Sequence, residues 1–298
     1  MTPSQTLHHL LQSPGFLVGP GVYDCLSARI AQRAGFPLLF SSGFGIAAAT
    51  LGVPDIGLLT ATEMLTAAGN IARAVGIPLI ADMDTGYGSP LNVIRTVEEA
   101  IARDIAGVIL EDQQWPKRCG HMAGKSVIAL EEHVAKIRAA HHARRRRDAL
   151  VIVARTDARA PCGLEEALRR GRAYFDAGAD LIFVEAPESE DELRRIPQAL
   201  PGIPLLVNVV EGGRTPPLPF ESLAAMGFKL GVLPLSGLFE ATQALETCFQ
   251  EIRRTGATRE RAVAFENFKE IVGTADYRAL EEQLGTAAAD RLSGAETA

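Results

Sequence analysis

Residues 111–121 concentrate groups that can do chemistry. They include two carboxylates, one thiol and three cationic or titratable side chains, namely Glu111, Asp112, Cys119, Lys117, Arg118 and His121. Cationic side chains that converge on a cysteine lower the pKa of its thiol, and this makes the cysteine reactive at neutral pH. The segment therefore predicts a reactive Cys119. The alternative is a solvated loop that holds an ordinary cysteine.

Eight short apolar segments alternate with amphipathic segments, and three of them follow a Gly-x-Pro joint that ends a helix and prevents its continuation. The predicted strands are 17–22, 37–41, 78–81, 107–110, 150–154, 181–184, 204–207 and 229–233. Strands that alternate with helices form parallel sheets, and eight such strands close into a (β/α)₈ TIM barrel of the α/β class. An open doubly wound sheet is the alternative, and it is disfavoured because no GxGxxG turn follows the first strand.

We divide the chain into a catalytic barrel, residues 1–255, and a C-terminal helical extension, residues 256–298, that is not an independent domain. Apolar side chains recur at helical spacing in 259–284. A barrel is complete without this segment. We therefore expect its apolar face to pack on the barrel or on a neighbouring subunit.

The composition excludes several classes of function. A net charge of −6 argues against a nucleic-acid partner. The one basic run, 144–147, follows a predicted helix, where cations complement the helix dipole and lie in water. The four cysteines are far apart and show no zinc or disulfide spacing. No apolar run approaches the length of a signal peptide or of a membrane span, so we predict a cytoplasmic protein without a membrane partner.

Polar residues follow nearly every predicted strand, at the barrel end where active sites form. Asp82 and Asp84 alternate on an extended segment, so both carboxylates can face one hard cation. Glu111 and Glu185 add acceptors around that cation. All-oxygen ligands favour Mg²⁺, with Mn²⁺ as the alternative ion. The competing interpretation is a turn with capping aspartates.

A second group of strand-end residues is suited to an anionic substrate. Arg155 offers a planar fork for a carboxylate or a phosphate. The backbone at Ser42 and Gly43 can donate N–H groups to the same anion, and Asn208 can add an amide. Together with the cation and the thiol, these residues predict a site for a small polyanionic acid.

The chain resembles the isocitrate lyase and phosphoenolpyruvate mutase superfamily over roughly residues 15–255. The motifs that carry the resemblance occur in order and are Ser42-Gly-Phe44, Leu51-Gly-Val-Pro-Asp55, Asp82-x-Asp84-x-Gly86-x-Gly88, Glu111-Asp-Gln113, Lys117-Arg-Cys-Gly-His121, Ala154-Arg-Thr-Asp157, Val184-Glu-Ala186 and Asn208-Val-Val-Glu-Gly-Gly213. The resemblance implies a (β/α)₈ barrel whose C-terminal helix is exchanged between subunits of a homotetramer.

The same resemblance assigns roles to individual residues. Mg²⁺ is held through Asp84, with support from Asp82, Glu111 and Asp55. The substrate acid is bound by Ser42, Gly43, Phe44, Arg155, Glu185 and Asn208. The Lys117–His121 loop marks the carbon–carbon lyase branch, in which Cys119 protonates the carbanionic product beside Lys117, Arg118 and His121.

The resemblance also bears on the substrate, a small 2-hydroxy or 2-oxo acid. The chain looks most like the lyases of 2,3-dimethylmalate and other 2-alkylmalates. Methylisocitrate lyases carry an arginine shortly after the last strand, where this chain has Gly237, Leu238 and Phe239. Oxaloacetate-hydrolysing members place serine where this chain has Pro234. We therefore expect a 2-alkylmalate lyase, with 2-methylisocitrate lyase as the near alternative and an oxaloacetate decarboxylase or a phosphonomutase as further alternatives.

Overall fold

The computed structural model describes residues 1–257 and 262–295, the last ten of them as backbone only. Eight parallel strands close into a barrel in chain order, and the first pairs with the last. The strands are β1 (Leu17–Val22), β2 (Leu39–Ser41), β3 (Leu79–Asp82), β4 (Gly107–Glu111), β5 (Val151–Thr156), β6 (Leu181–Val184), β7 (Leu205–Asn208) and β8 (Leu230–Leu233). The predicted (β/α)₈ barrel is confirmed, and each predicted strand overlaps an observed one.

Helices alternate with the strands. They are α1 (Pro3–Gln12), α2 (Cys25–Arg33), α3 (Gly43–Leu51), α4 (Ala61–Ala74), α5 (Pro90–Ile101), α6 (Leu130–Ala143), α7 (Arg159–Cys162), α8 (Leu164–Asp176), α9 (Glu190–Ala199), α10 (Phe220–Met226), α11 (Ser236–Thr255), α12 (Phe265–Ile271) and α13 (Thr274–Ala295). A short 3₁₀ helix spans Arg147–Ala149.

Helices α1, α3 and α7 are absent from the sequence prediction. A capping box between Thr2 and Gln5 starts α1, and its Leu7 is fully buried among the side chains inside the barrel. Helix α3 is apolar almost throughout, so it has no contrast between two faces from which a helical period could be recognised. It begins where β2 ends, with the Ser42 hydroxyl as its N-cap.

Alternate residues of each strand point into the barrel, where they form one apolar cluster that includes Phe40, Ile80, Ile109, Val153 and Phe183. Because side chains alternate along a strand, the position two residues further on points the same way. At the ends of the same five strands, or one residue beyond them, these positions hold Ser42, Asp82, Glu111, Arg155 and Glu185. The barrel therefore collects polar side chains around its axis, at the carboxyl ends of the strands.

The basic run differs from the prediction at its first residue. Arg144 is 3% exposed, and its guanidinium pairs with Asp180 and donates to the Gly178 carbonyl at 3.0 Å. Arg145, Arg146 and Arg147 are exposed, as predicted. A buried acceptor therefore draws Arg144 away from solvent, and this acceptor lies 36 residues further along the chain.

The chain divides into two compact units, Met1–Gln243 and Ala244–Ala298. The first contains the barrel. Within the second, helices α12 and α13 leave large apolar side chains exposed, among them Phe265, Tyr277 and Leu284. The domain boundary at residue 255 remains a prediction. Among the described helices, none is long and apolar enough to cross a membrane.

Candidate active site

A cavity lies at the carboxyl ends of the strands. The predicted site residues that line it are Ser42, Phe44, Asp55, Asp82, Glu111, Lys117, Arg118, Cys119, His121, Arg155, Glu185 and Asn208. The two remaining predicted residues lie against lining residues. Asp84 pairs with Lys117, and a Cβ at Gly43 would lie 3.0 Å from Asp82 Oδ2. The structure therefore brings the predicted residues into one place.

Four carboxylates, which we call the acid cluster, surround the Lys117 ammonium: Asp55, Asp82, Asp84 and Glu111. The ammonium lies 2.5 Å from Asp55 Oδ1 and 2.6 Å from Asp84 Oδ1. Burial alone would lower the pKa of Lys117, but the charges of Asp84, Asp82 and Asp55 outweigh burial and raise that pKa well above its ordinary value. The acid cluster therefore holds one cation in this structure, the charge of Lys117.

The geometry of Asp82 and Asp84 differs from the prediction. Strand β3 ends at Asp82, and Asp84 has a left-handed backbone conformation with a φ of 49°. The Asp84 N–H donates to Asp82 Oδ1 at 3.1 Å. The two carboxylates therefore do not lie on one extended segment, which is the arrangement predicted from the sequence. A tight turn brings them to the same cation instead.

The acid cluster has the oxygen donors that a hard divalent cation requires. Glu111 is 2% exposed, and its Oε1 atom has no hydrogen-bond partner in the described part of the chain. Burial, and to a lesser degree the charge of Asp157, raises the pKa of Glu111 well above its ordinary value against the opposing charge of Arg155. Among the described residues, no three His, Cys, Asp or Glu side chains form a ready metal-binding group. The oxygen donors of the acid cluster nevertheless suit a hard divalent cation such as Mg²⁺, and in this structure the Lys117 ammonium lies among them.

Arg155 is the centre of a second charged group. Its guanidinium binds Asp157 through two hydrogen bonds, from Nε at 2.9 Å and from one terminal nitrogen at 3.0 Å. It also lies 3.3 Å from Glu111 and 3.2 Å from Glu185, and 5.3 Å above the ring of Phe183. These contacts fix the orientation of the guanidinium. One edge of its fork is already engaged by Asp157, which the prediction did not include.

The environment of Cys119 overturns the expectation that its thiol has a lowered pKa. Burial raises the pKa of Cys119, the charges of Glu185 and Asp55 raise it further, and a hydrogen bond with the backbone of His121 opposes them. Lys117 is committed to the acid cluster, and the exposed Arg118 donates to the Ala123 carbonyl at 3.2 Å. The cations therefore do not converge on the thiol, which keeps its proton at neutral pH.

His121 is held by contacts at both ring nitrogens. The Arg214 N–H donates to Nδ1 at 3.0 Å, so Nδ1 is an acceptor and the neutral ring carries its proton on Nε2. Nε2 lies 3.2 Å from Glu185 Oε1, which the Asn208 amide also contacts at 3.4 Å. The Oδ1 atom of Asn208 is buried and has no hydrogen-bond partner among the described residues, so it remains available to a ligand.

Two buried residues of the site are absent from the predicted set. Lys125 donates to Asp157 Oδ1 at 2.7 Å and to the Gly120 carbonyl, and Asp157 holds Arg155. Asp157 could be identified from its spacing, because it follows Arg155 by two residues and points the same way. Lys125 follows His121 by four residues, and nothing in the sequence marks its side chain as buried.

Comparisons with known proteins identify the family. Residues 7–253 match the family model described as phosphoenolpyruvate phosphomutase. The chain is 41% identical to 2,3-dimethylmalate lyase of Eubacterium barkeri, over 96% of this chain and 99% of that protein. It is 38% identical to 2-methylisocitrate lyase of Bacillus subtilis, over 92% and 91% of the two chains. Oxaloacetate acetylhydrolase in complex with 3,3-difluorooxalacetate superposes with a TM-score of 0.92 at 39% identity, over 95% and 97% of the two chains. The chain belongs to the phosphoenolpyruvate mutase/isocitrate lyase superfamily.

Proposed function

We propose that this protein is a Mg²⁺-dependent carbon–carbon lyase that cleaves a 2-alkylmalate of the 2,3-dimethylmalate type to pyruvate and a carboxylic acid. One observation carries the proposal. A half-buried thiol that keeps its proton, Cys119, shares one cavity with an oriented guanidinium, Arg155, and with the acid cluster. The similarity to 2,3-dimethylmalate lyase supports the substrate class.

Different residues of the cavity bind different groups of the substrate. The free edge of the Arg155 fork and the first N–H groups of helix α3, from Gly43 onward, bind a substrate carboxylate. The unpartnered Asn208 Oδ1 accepts a hydrogen bond from the substrate hydroxyl. Phe44, the second residue of helix α3, lines the cavity. These contacts hold the bond that breaks close to Cys119.

Cleavage proceeds as a reversed aldol reaction. The 2-hydroxyl gives its proton to a carboxylate of the cavity, for which Glu185 is suited because Arg155 and His121 hold its pKa below the ordinary value against the effect of burial. The hydroxyl oxygen becomes the carbonyl oxygen of pyruvate, and the electron pair of the broken carbon–carbon bond passes to the second fragment as an enediolate. Cys119 then donates its proton to the carbanionic carbon and becomes a thiolate. A raised thiol pKa suits this role, whereas a cysteine nucleophile needs a lowered pKa.

The residues that would hold Mg²⁺ are those of the acid cluster: Asp84 directly, with Asp82, Glu111 and Asp55 around it. When bound, such an ion stabilises the negative charge that develops on the substrate oxygen during cleavage. Its binding requires that the Lys117 ammonium leave its position between Asp55 and Asp84, because two cations do not share that space.

Apolar lining favours an alkyl substituent over a third carboxylate. The lining of the cavity includes Val210, Pro234 and Leu235. Among the described lining residues, the cationic side chains are Lys117, Arg118 and Arg155, and Lys117 and Arg155 are already paired with carboxylates. For the third carboxylate of a tricarboxylate such as methylisocitrate, the remaining cation is Arg118, whose side chain is exposed and donates to the Ala123 carbonyl.

A substrate panel tests the proposal. The protein is incubated with Mg²⁺ and, in separate reactions, with 2,3-dimethylmalate, 2-methylisocitrate, oxaloacetate or phosphonopyruvate, and release of a 2-oxo acid or of oxalate is measured. We expect the highest kcat/KM for 2,3-dimethylmalate. Turnover of methylisocitrate alone would establish 2-methylisocitrate lyase, which the Bacillus subtilis relative supports as the second candidate. Turnover of oxaloacetate or phosphonopyruvate alone would refute both.

We also propose that the protein is a homotetramer in which the second unit mediates contacts between subunits. Phe265 is 75% exposed and Tyr277 is 66% exposed, which is costly for large apolar side chains left in water. Light scattering should give four times the mass of one chain. A mass near 31.8 kDa would contradict this proposal.

A further inference from the structure

Lys125 is a buried cation outside the residues assigned so far. Its side chain is 1% exposed, although lysine is almost never buried without a partner. The ammonium has two acceptors, Asp157 Oδ1 at 2.7 Å and the carbonyl oxygen of Gly120. The first belongs to the end of the rigid strand β5, and the second belongs to the loop that carries Cys119. A single charge therefore joins these two parts of the site.

The Gly120 backbone packs directly on the charged group around Arg155. A Cβ at position 120 would lie 2.5 Å from Glu185 Cδ and would also overlap the Arg155 guanidinium. At this point there is no room for a side chain between the loop and the barrel. Its position depends on what holds the Gly120 carbonyl.

The residue on the other side of Cys119 is held as well. The Gln113 side chain accepts from the Arg118 N–H at 3.0 Å and donates to the Arg118 carbonyl at 2.8 Å. Gln113 follows strand β4, so this contact also joins the loop to the barrel. Cys119 thus lies between two fixed residues, Arg118 held by Gln113 and Gly120 held by Lys125.

Asp157 extends the effect of Lys125 to the substrate-binding fork. Its Oδ1 atom accepts from both Lys125 and Arg155, and its Oδ2 atom accepts from the Arg155 Nε at 2.9 Å. Asp157 is completely buried, so water cannot replace either cation. Loss of Lys125 would leave the Asp157 charge with Arg155 as its only cationic partner among the described residues.

We propose that Lys125 is a positioning residue, which sets the distance between the Cys119 thiol and the Arg155 fork by holding the Gly120 carbonyl and Asp157 together. This assignment rests on the proposed lyase chemistry for its catalytic consequence. A misplacement of about 1 Å in a reacting group can cost roughly 100-fold in rate. Lys125 therefore acts on turnover through Cys119, without touching the substrate.

The test compares Lys125→Met with Lys229→Met. Lys229 also donates to two backbone carbonyls, those of Ser13 and Gly15, but it lies at the amino ends of the strands, away from Cys119. For each variant we measure Tm, kcat and KM with the preferred substrate, and the rate at which iodoacetamide alkylates Cys119, followed by peptide mass spectrometry. Alkylation reports the position of the loop whatever the substrate is, so it separates failure of this inference from failure of the proposed function.

We expect Lys125→Met to lower kcat by about 100-fold, with a smaller change in KM. Alkylation of Cys119 should accelerate by about tenfold or more, because the loop opens locally. Lys229→Met should change Tm alone. If Lys125→Met does not fold, the same criteria apply to Lys125→Gln, which keeps a polar amide at the buried position. Unchanged alkylation and kcat, or equal acceleration in Lys229→Met, would overturn the inference.

Discussion

The Lys117 ammonium lies 2.6 Å from the Asp84 carboxylate, and both side chains are almost completely buried. Lys117 belongs to the loop that carries Cys119, whereas Asp84 belongs to the turn after strand β3. Burial raises the pKa of Asp84 to about 6, against the opposing charge of Lys117, with Asp82 adding to the increase. This ion pair therefore ties the loop to the acid cluster, and a divalent cation must compete with it.

Replacement of Asp84 by asparagine should abolish binding of Mg²⁺. The substitution keeps the shape of the side chain but removes the charge that would hold the ion. We expect the affinity for Mg²⁺, measured by isothermal titration calorimetry, to fall by at least about 100-fold, and turnover to be lost with it. Asp104→Asn is the control, because Asp104 is an exposed aspartate that also has a left-handed backbone conformation. Full affinity in Asp84→Asn would remove Asp84 from the metal site.

Replacement of Cys119 by serine should stop the reaction at protonation. A serine hydroxyl is a much weaker acid than a thiol, and loss of general acid catalysis costs about 10²- to 10⁴-fold in rate. Oxalate should still bind in the presence of Mg²⁺, because Arg155 and the acid cluster are unchanged. Cys162→Ser serves as the control, since Cys162 is exposed and lies on helix α7. Turnover near the wild-type rate would show that another group donates the proton.

The sequence could predict the positions of four site residues, Asp82, Glu111, Arg155 and Glu185. Each stands an even number of residues after an inward-facing apolar side chain of its strand, so it has the same parity and points into the barrel. This parity depends only on local geometry, so it can be derived from the sequence. Asp112 follows the same rule with the opposite result. It is shifted by one residue from Glu111, and it points outward to Arg170 and Tyr174 of helix α8.

The pairing of charges could not be predicted. Lys117 and Asp84 are 33 residues apart, and Arg144 and Asp180 are 36 residues apart, so only the closed barrel brings them together. The direction of the Cys119 pKa shift depends on the same pairing. Because Lys117 is paired with the acid cluster, burial of the Cys119 thiol and the carboxylates around it determine the direction in which its pKa shifts.

Asp112 should be important for stability rather than for turnover. Its carboxylate is completely buried and accepts hydrogen bonds from Thr156 Oγ1, the Asp157 N–H, Arg170 and Tyr174. Asp112→Asn leaves the Arg170 guanidinium without its buried counterion, which should cost about 3–5 kcal/mol in the free energy of unfolding by urea. The control, Asp148→Asn, breaks a solvent-screened surface pair with Arg146 and should cost much less. Equal losses in the two variants would contradict the assignment.

His133 should make the protein sensitive to acid. The ring is fully buried against Tyr174, and burial, reinforced by the charges of Lys136 and Arg170, lowers the pKa of His133 to about 3. The folded state therefore binds this proton more weakly than the unfolded state, whose histidine titrates near an ordinary pKa of about 6.5. The stability is fully present above that value and is lost as the pH falls from about 6.5 toward 3. Between pH 7 and pH 5 the loss amounts to about 2 kcal/mol.

Replacement of His133 by phenylalanine removes the titrating group while it keeps an aromatic ring beside Tyr174. The free energy of unfolding of His133→Phe should therefore fall less between pH 7 and pH 5 than that of the wild type, by about 2 kcal/mol. The comparison uses the slope with pH, because the larger ring can shift the stability at every pH by a similar amount. His142→Gln, at an exposed histidine of the same helix, should follow the wild-type slope. A wild-type slope in His133→Phe would show that His133 does not resist protonation in the folded state.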